Sequence, residues 1–414
     1  MLTTSGRYRD ALAVGEFRAV FLAHVISMSG TVVANFALTV LVYQKTGSPL
    51  LASLVFTLIL APFLLAGTLL SALVDRFPPR RLLVVCNVLS ALLAGAMALP
   101  GTPSAAVLVL AFVLGLVEPV FSGARAATLP DVLPGPVYVP GRSLMRLVSQ
   151  GAQMGGFALS GVLLTVASPS AILLGNAVSF LVSAVLLQFG TRERTVESVK
   201  DAPRPALLKD SLGGLGAVMK VRPLRRVLLL GWAVPMLGVA PEALAVPYAG
   251  ILGAGSVGAG LLLTANPIGT VLGELLSNWR LSAATQVRVI APAAALVFLP
   301  LVFFLFSPGV ALTAVLLVVS GLGSSFHLGQ DRVLLEVAPE HLRARALSIQ
   351  TAGLMFWQGL GFAAAGAAAE FVSPTVVIPV TAGLGLLAVL LLADRAKSRA
   401  TAETAESQTA EGVH

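Results

Sequence analysis

Long uncharged runs, broken by short turns, dominate the pattern of this chain. Ser48 to Val74 carry no charge, and from Leu82 none appears before Glu118. An apolar run of roughly 20 residues is long enough to cross a bilayer as a helix. The pattern predicts twelve such spans, at about 18–43, 49–74, 82–99, 105–128, 143–166, 170–190, 225–250, 256–279, 288–306, 310–334, 345–371 and 375–393. Turns at one face are short and rich in Pro, Gly or Ser, as in Pro100-Gly101-Thr102-Pro103, Ser168-Pro169, Ser307-Pro308-Gly309 and Ser373-Pro374. Turns at the other face carry the charge, as in Asp75-Arg76-Phe77-Pro78-Pro79-Arg80-Arg81. A carboxylate and three guanidiniums do not sit unpaired in hydrocarbon, so this loop marks a membrane surface.

Composition agrees with the pattern. The chain has 414 residues, 57% hydrophobic and 11% charged, against about 25% charged in an ordinary soluble domain. The expected fold is an all-α membrane protein, since the strand alternation of an outer-membrane barrel is missing. The net charge of +8 follows topology rather than a nucleic-acid partner. Of 27 Lys and Arg residues, 26 fall on the face that holds the N-terminus, and only Lys45 falls on the other. The positive-inside rule then places both termini in the cytoplasm. The expected location is a bacterial-type inner (plasma) membrane. Residues 1–17 are polar and lack a signal-peptide cleavage pattern, so the first apolar segment is expected to remain as span 1. Cys86 stands alone within an apolar run and reads as small packing.

Residues 191–223 form the longest internal polar stretch, a linker between two halves, in which Leu207 to Met219 suit a short surface helix. The halves repeat. A shift of 205 residues carries Pro62 onto Pro267, Pro103 onto Pro308, Pro134 onto Pro339 and Pro169 onto Pro374, and also Phe121 onto Phe326 and Asp131 onto Glu336. Two pseudo-symmetric six-helix bundles are therefore expected, over 18–190 and 224–393. A cytoplasmic segment over 1–17 precedes them, and a disordered tail over 394–414, rich in Ala, Thr, Ser and Glu, follows. Two parallel six-span units around a midplane cavity are the plan of alternating-access transporters.

The repeat, with a charged loop after span 2, resembles the major facilitator superfamily along the whole chain. The loop from Asp75 to Leu83 is similar to the signature loop Gly-x-Leu-Ala-Asp-Arg-x-Gly-Arg-Lys, with Ser71 at the first Gly and Pro78-Pro79 at Gly-Arg. The stretches Phe17 to Leu22, Tyr43 to Ser48 and Ala124 to Asp131 resemble the subgroup of enterobactin exporters and macrolide-efflux proteins. That resemblance implies export, driven by proton exchange. Two features depart from drug–proton antiporters. Leu110 to Val113 hold no Arg early in span 4, and the span 5 glycine motif survives only as Gly156 to Gly161. The resemblance also implies that Asp75 meets the second half near Arg343-Ala344-Arg345, where the N-terminal dipole of span 11 favours a carboxylate. With Arg76, Arg80, Arg81, Asp331 and Arg332, these residues form the expected inner-gate switch.

No nucleophile–base pair, P-loop or metal-ligand spacing stands out, so no enzyme activity, cofactor or metal is expected, and coupling falls to groups within the membrane. His24, Ser27, Thr31, Asn35 and Thr39 are spaced by three and four and share one face of span 1. That face lines a cavity or hydrogen-bonds its neighbours. His24 is a candidate proton site, with a packing histidine as the alternative. Glu118, the deepest acid of the first half, precedes Pro119 and is read as a proton carrier or as a fixed partner of Arg125 or Arg146. Glu242 lies in a span with three prolines, as a cavity acid or a rim residue. His327 is a fourth titratable candidate. Trp232, Asn266, Trp357 and Gln358 are cavity candidates, with the tryptophans serving equally as interface anchors.

The sequence thus predicts a monomeric, proton-coupled exporter of a hydrophobic or amphipathic small molecule, with no partner beyond substrate, protons and lipid. An uptake permease of the same fold is the first rival. A membrane-bound enzyme or a lipid scramblase is the second.

Overall fold

The far-face turns start helices in one recurring way. Ser48 caps span 2 by accepting the Leu51 N–H at 3.0 Å, and Pro49 fills the first turn, where a missing N–H costs nothing. Ser168 and Pro169 repeat this at span 6, with the Ala171 N–H at 3.2 Å. Gly47 ends span 1 in the left-handed region at φ 67°, donating to the Tyr43 carbonyl.

The computed structural model describes residues 8–63, 77–133, 135–194, 216, 218–339 and 342–411. Among these, ten helices are long and apolar enough to cross a membrane, and Pro49–Leu60 and Ile290–Phe306 are shorter apolar helices. In chain order they occupy the twelve expected places. Span 1 is Gly15–Thr46, span 3 Pro79–Ala98, span 4 Ser104–Val132, span 5 Tyr138–Val166 and span 6 Pro169–Gly190. Span 8 is Gly255–Arg280 and span 11 Arg343–Ala369. Span 2 is described only in its far-face half. The expected surface helix in the linker lies mostly outside the described residues.

Three spans of the second half are broken. Span 7 divides into Arg222–Gly238, Ala240–Ala243 and Ala245–Ile251. Pro235, Pro241 and Pro247 each lack an N–H, so the carbonyl one turn earlier loses its donor. Span 9 tightens into a 3₁₀ helix over Leu299–Phe306, and span 10 parts into Val310–Gly323 and Phe326–Val337 at Ser324-Ser325. Span 12 runs from Pro374 to Glu411 as one helix. The helix thus covers most of the tail that its polar composition suggested as disordered; Ala, Glu, Arg and Lys are strong helix formers and carry it beyond Asp394.

Span 1 packs against spans 5 and 6, span 3 against spans 4 and 6, span 7 against spans 11 and 12, and span 8 against span 10. Among the described residues the main seams between the halves are span 2 with span 11 and span 5 with span 8. In the second seam Gly161 faces Gly260 so closely that an added Cβ would lie 3.0 Å from the opposite Cα. At the far face the halves share one core. Phe36 and Val40 of span 1, with Phe56 of span 2 and Phe157 of span 5, pack among Tyr248, Phe298, Phe304 and Phe362 of the second half. At the basic face the cores are separate. One gathers Phe17, Phe121, Leu133 and Met145, the other Leu224, Leu228, Leu334 and Ala346. Among the described residues, then, the hydrophobic cores of the two halves are joined at the far face and separate at the basic one.

Candidate functional site

Span 4 places Glu118, Phe121 and Arg125 on one helical stripe, at spacings of three and four. All three reach a narrow cleft inside the first half. His24, Ser27 and Thr31 line it from span 1, Cys86, Asn87 and Ser90 from span 3, and Phe180 from span 6. Arg125 lies over the Phe121 ring, 5.5 Å from its centre, a cation–π contact that helps a guanidinium tolerate this depth. Its Nη1 contacts Nδ1 of His24.

The hydrogen bonds assign the His24 tautomer. Ser149 of span 5 spends its hydroxyl proton on the Met145 carbonyl at 3.1 Å. Its oxygen therefore accepts from His24 Nε2 at 3.0 Å. With the proton on Nε2, Nδ1 offers its lone pair to the guanidinium. His24 is thus neutral here and 3% exposed, linking spans 1, 4 and 5 in one chain of donors. Glu118 sits two turns from Arg125 in the same cleft, and no ion pair joins them among the described residues. A proton arriving on Nδ1 would displace the guanidinium, and Glu118 is the acid on Arg125's own stripe.

The second half holds a neutral copy of this arrangement. The 205-residue shift carries Arg125 onto Gln330, whose Nε2 donates to the Val227 carbonyl of span 7 at 2.8 Å. It also carries Met145 onto Gln350, whose carbonyl accepts the Trp232 indole N–H at 3.2 Å. His327 Nδ1 bonds the Gln330 side-chain oxygen at 3.2 Å. Gly231 gives Gln330 its room, since a Cβ there would meet Gln330 Nε2 at 1.8 Å.

The family model described as Major Facilitator Superfamily matches residues 20–244, more than half of the chain. The chain belongs to the Major Facilitator Superfamily. Solved transporters share the fold of this facilitator. A nucleoside transporter, NupG, aligns with a TM-score of 0.74 at 14% identity, over 91% of this chain and 99% of its own. A peptide transporter, POT, gives 0.72 at 15%, over 95% and 99%. A bacterial homologue of the iron transporter ferroportin, in an inward-facing state, gives 0.67 at 15%, over 91% and 96%. No curated protein matches the chain significantly.

The other candidates fall in several places in the facilitator. Of the span 1 stripe, His24, Ser27 and Thr31 meet in the cleft, while Asn35 and Thr39 lie further along. Thr31 and Thr39 return their hydroxyls to the Ser27 and Asn35 carbonyls at 2.8 and 2.9 Å. Trp232 is buried and packs on Gly353. Asn266 is half-buried where span 8 crosses Gly321, and its carbonyl accepts from Thr270 at 3.1 Å. Trp357 meets Phe356 edge-on, and Gln358 is half-buried beside it on span 11. Glu242 occupies the short middle piece of span 7, which touches spans 2, 8, 11 and 12. Among the described residues no hydrogen bond or ion pair reaches its side chain.

Asp75 and Arg76 lie outside the described residues, as does the side chain of Arg345. Arg80 donates to the Gln188 carbonyl within the first half, and Arg81 pairs with Glu193, at the start of the linker, at 2.8 Å. Arg332 donates to Gln286 at 2.7 Å and Arg343 to the Ala338 carbonyl at 3.3 Å, within the second. Asp331 is exposed, and the charge it faces across the interface is Arg146 of span 5. Arg146 also approaches Glu274 of span 8, at 3.9 Å. From the sequence, Arg125 and Arg146 stand only as partners for Glu118, and nothing marks Ser149. Helical spacing does show that 118, 121 and 125 share a stripe, but nothing local in the sequence pairs span 4 with span 5.

Proposed function

We propose that this facilitator is a proton-coupled exporter of a hydrophobic or amphipathic small molecule. The observation that supports this most is the Arg125–His24–Ser149 chain, with Glu118 in the same cleft. One mobile guanidinium faces either a neutral imidazole or a carboxylate, and a proton shared between Glu118 and His24 decides which. Moving Arg125 strains the joint between spans 1, 4 and 5. Span 5 forms the seam with span 8, so the strain reaches the interface that alternating access must reshape. Substrate enters the divided basic face, which the charge pattern makes cytoplasmic, and leaves at the far face. Export is the direction implied by the resemblance to efflux proteins. A bacterial-type inner membrane, cytoplasmic termini and a monomer complete this reading.

The test is transport in proteoliposomes of fixed orientation, with and without an imposed pH gradient, over a panel of amphipathic compounds. The gradient should accelerate flux of the compound transported, and a protonophore should remove the acceleration. Flux indifferent to the gradient would rule out proton coupling while leaving the transporter fold intact.

A further inference from the structure

The span 2–span 11 seam ends in a contact that differs from the rest of it. Along the seam Phe56 stacks on Phe362 with centres 4.8 Å apart, and Thr57 donates to the Gly359 carbonyl at 2.8 Å. Gly366 lies against Ser53 and Leu50, where a Cβ would come within 1.9 Å of the Ser53 hydroxyl oxygen. Glu370 follows four residues after Gly366 and eleven after Gly359, on the same face of span 11. Its Oε1 accepts from the Ser48 hydroxyl and from the Leu50 N–H, the latter at 3.0 Å. Ser48 is the N-cap of span 2, yet the third position of that helix is Leu51, which offers no carboxylate. A Glu at that position would reach back to the start of its own helix and complete the cap. Here the acid comes from the other half of the protein.

We infer that Glu370 is the far-face gating residue, capping span 2 across the interface only while that face is closed. The carboxylate takes up N–H and O–H donors that the helix start would otherwise leave to water, at the end where the helix dipole favours negative charge. Because Glu370 is exposed, water replaces the contact readily when the halves separate. The buried glycine seam needs shape alone, whereas this last contact is polar and can exchange with solvent. The inference rests on alternating access but not on proton coupling or on any substrate.

The experiment measures the distance between spin labels at Leu99 and Phe371, both exposed at the far face and one in each half. The full chain is placed in lipid nanodiscs. Glu370→Ala should raise the long-distance population about three-fold, the size expected for an exposed charged contact. Glu370→Gln, which keeps an acceptor oxygen, should give a smaller rise. Ser48→Ala combined with Glu370→Ala should add less than the two single changes together, because both act on one contact. A second label pair within the first half, at Leu99 and Val166, should keep its distance in every variant and so exclude unfolding. An unchanged Leu99–Phe371 distribution in Glu370→Ala, or fully additive effects of the two changes, would overturn the inference. If the distances shift while flux ignores the pH gradient, the gate stands and only the coupling reading falls.

Discussion

At the scale of single residues, the donor chain makes Arg125 the group whose loss should matter most. Arg125→Gln removes the only charge held by His24, so gradient-driven flux should fall about ten-fold, the usual effect of deleting a buried charged hydrogen bond. Exchange without a gradient should fall less, because the main seams between the halves, span 2 with span 11 and span 5 with span 8, are made by other residues. The ratio of the two rates in proteoliposomes checks this. Glu118→Gln should likewise abolish stimulation by the gradient while leaving the Arg125–His24 contact in place. Full stimulation in that variant would leave Glu118 a structural role only. The sequence made the candidates legible because their spacing fits a helix. It could not show that His24 and Arg125 touch, since that depends on the rotation and register of two helices 101 residues apart in the chain.

At the scale of elements, two kinds of helix carry the moving parts. The span 5–span 8 seam is a backbone-to-backbone contact, with Gly260 positioned so that a Cβ would meet the Phe157 carbonyl and Gly161 Cα at 2.8 Å. Gly260→Val forces those helices apart and should destabilise the protein by about 2 kcal/mol, seen as a lower Tm in detergent. Span 7 is the opposite case, interrupted because prolines remove its donors. Pro241→Ala returns an N–H for the Leu237 carbonyl and should straighten the span. The expected result is a higher Tm with slower flux, because a stiffer span 7 bends less as the halves rearrange. Spans were legible as apolar runs, and the prolines marked span 7. The 3₁₀ turn of span 9 was not, since Ile290 to Phe306 differs little in hydropathy from the helices around it.

At the scale of the whole molecule, closure at the far face should respond to acid in one direction. Hydrogen bonds from Ser48 and the Leu50 N–H hold the Glu370 carboxyl below the usual carboxylate range. Its contact is therefore complete above the ordinary glutamate pKa of about 4.3 and is lost as pH falls through the lowered value. The Leu99–Phe371 distance should lengthen only in that acid window, and in Glu370→Gln it should ignore pH there. The twofold plan was readable from four matched prolines and a one-sided distribution of Lys and Arg. Which face was shut was not, because both faces of such a repeat have similar patterns and the difference lies in which side chains cross the interface.

The neutral copy at Gln330 bears on energetics. On the coupling proposed above, carried by the Arg125, His24 and Glu118 group of the first half, one proton per cycle is expected. Each turnover then has about 1.4 kcal/mol per pH unit and about 2.3 kcal/mol per 100 mV to draw on. For an uncharged substrate, the steepest gradient the protein can sustain is about ten-fold per pH unit at zero potential. Flux measured at its reversal point should give a proton-to-substrate ratio of one. A ratio of two would assign the second proton to another acid, with Glu242 the first to replace.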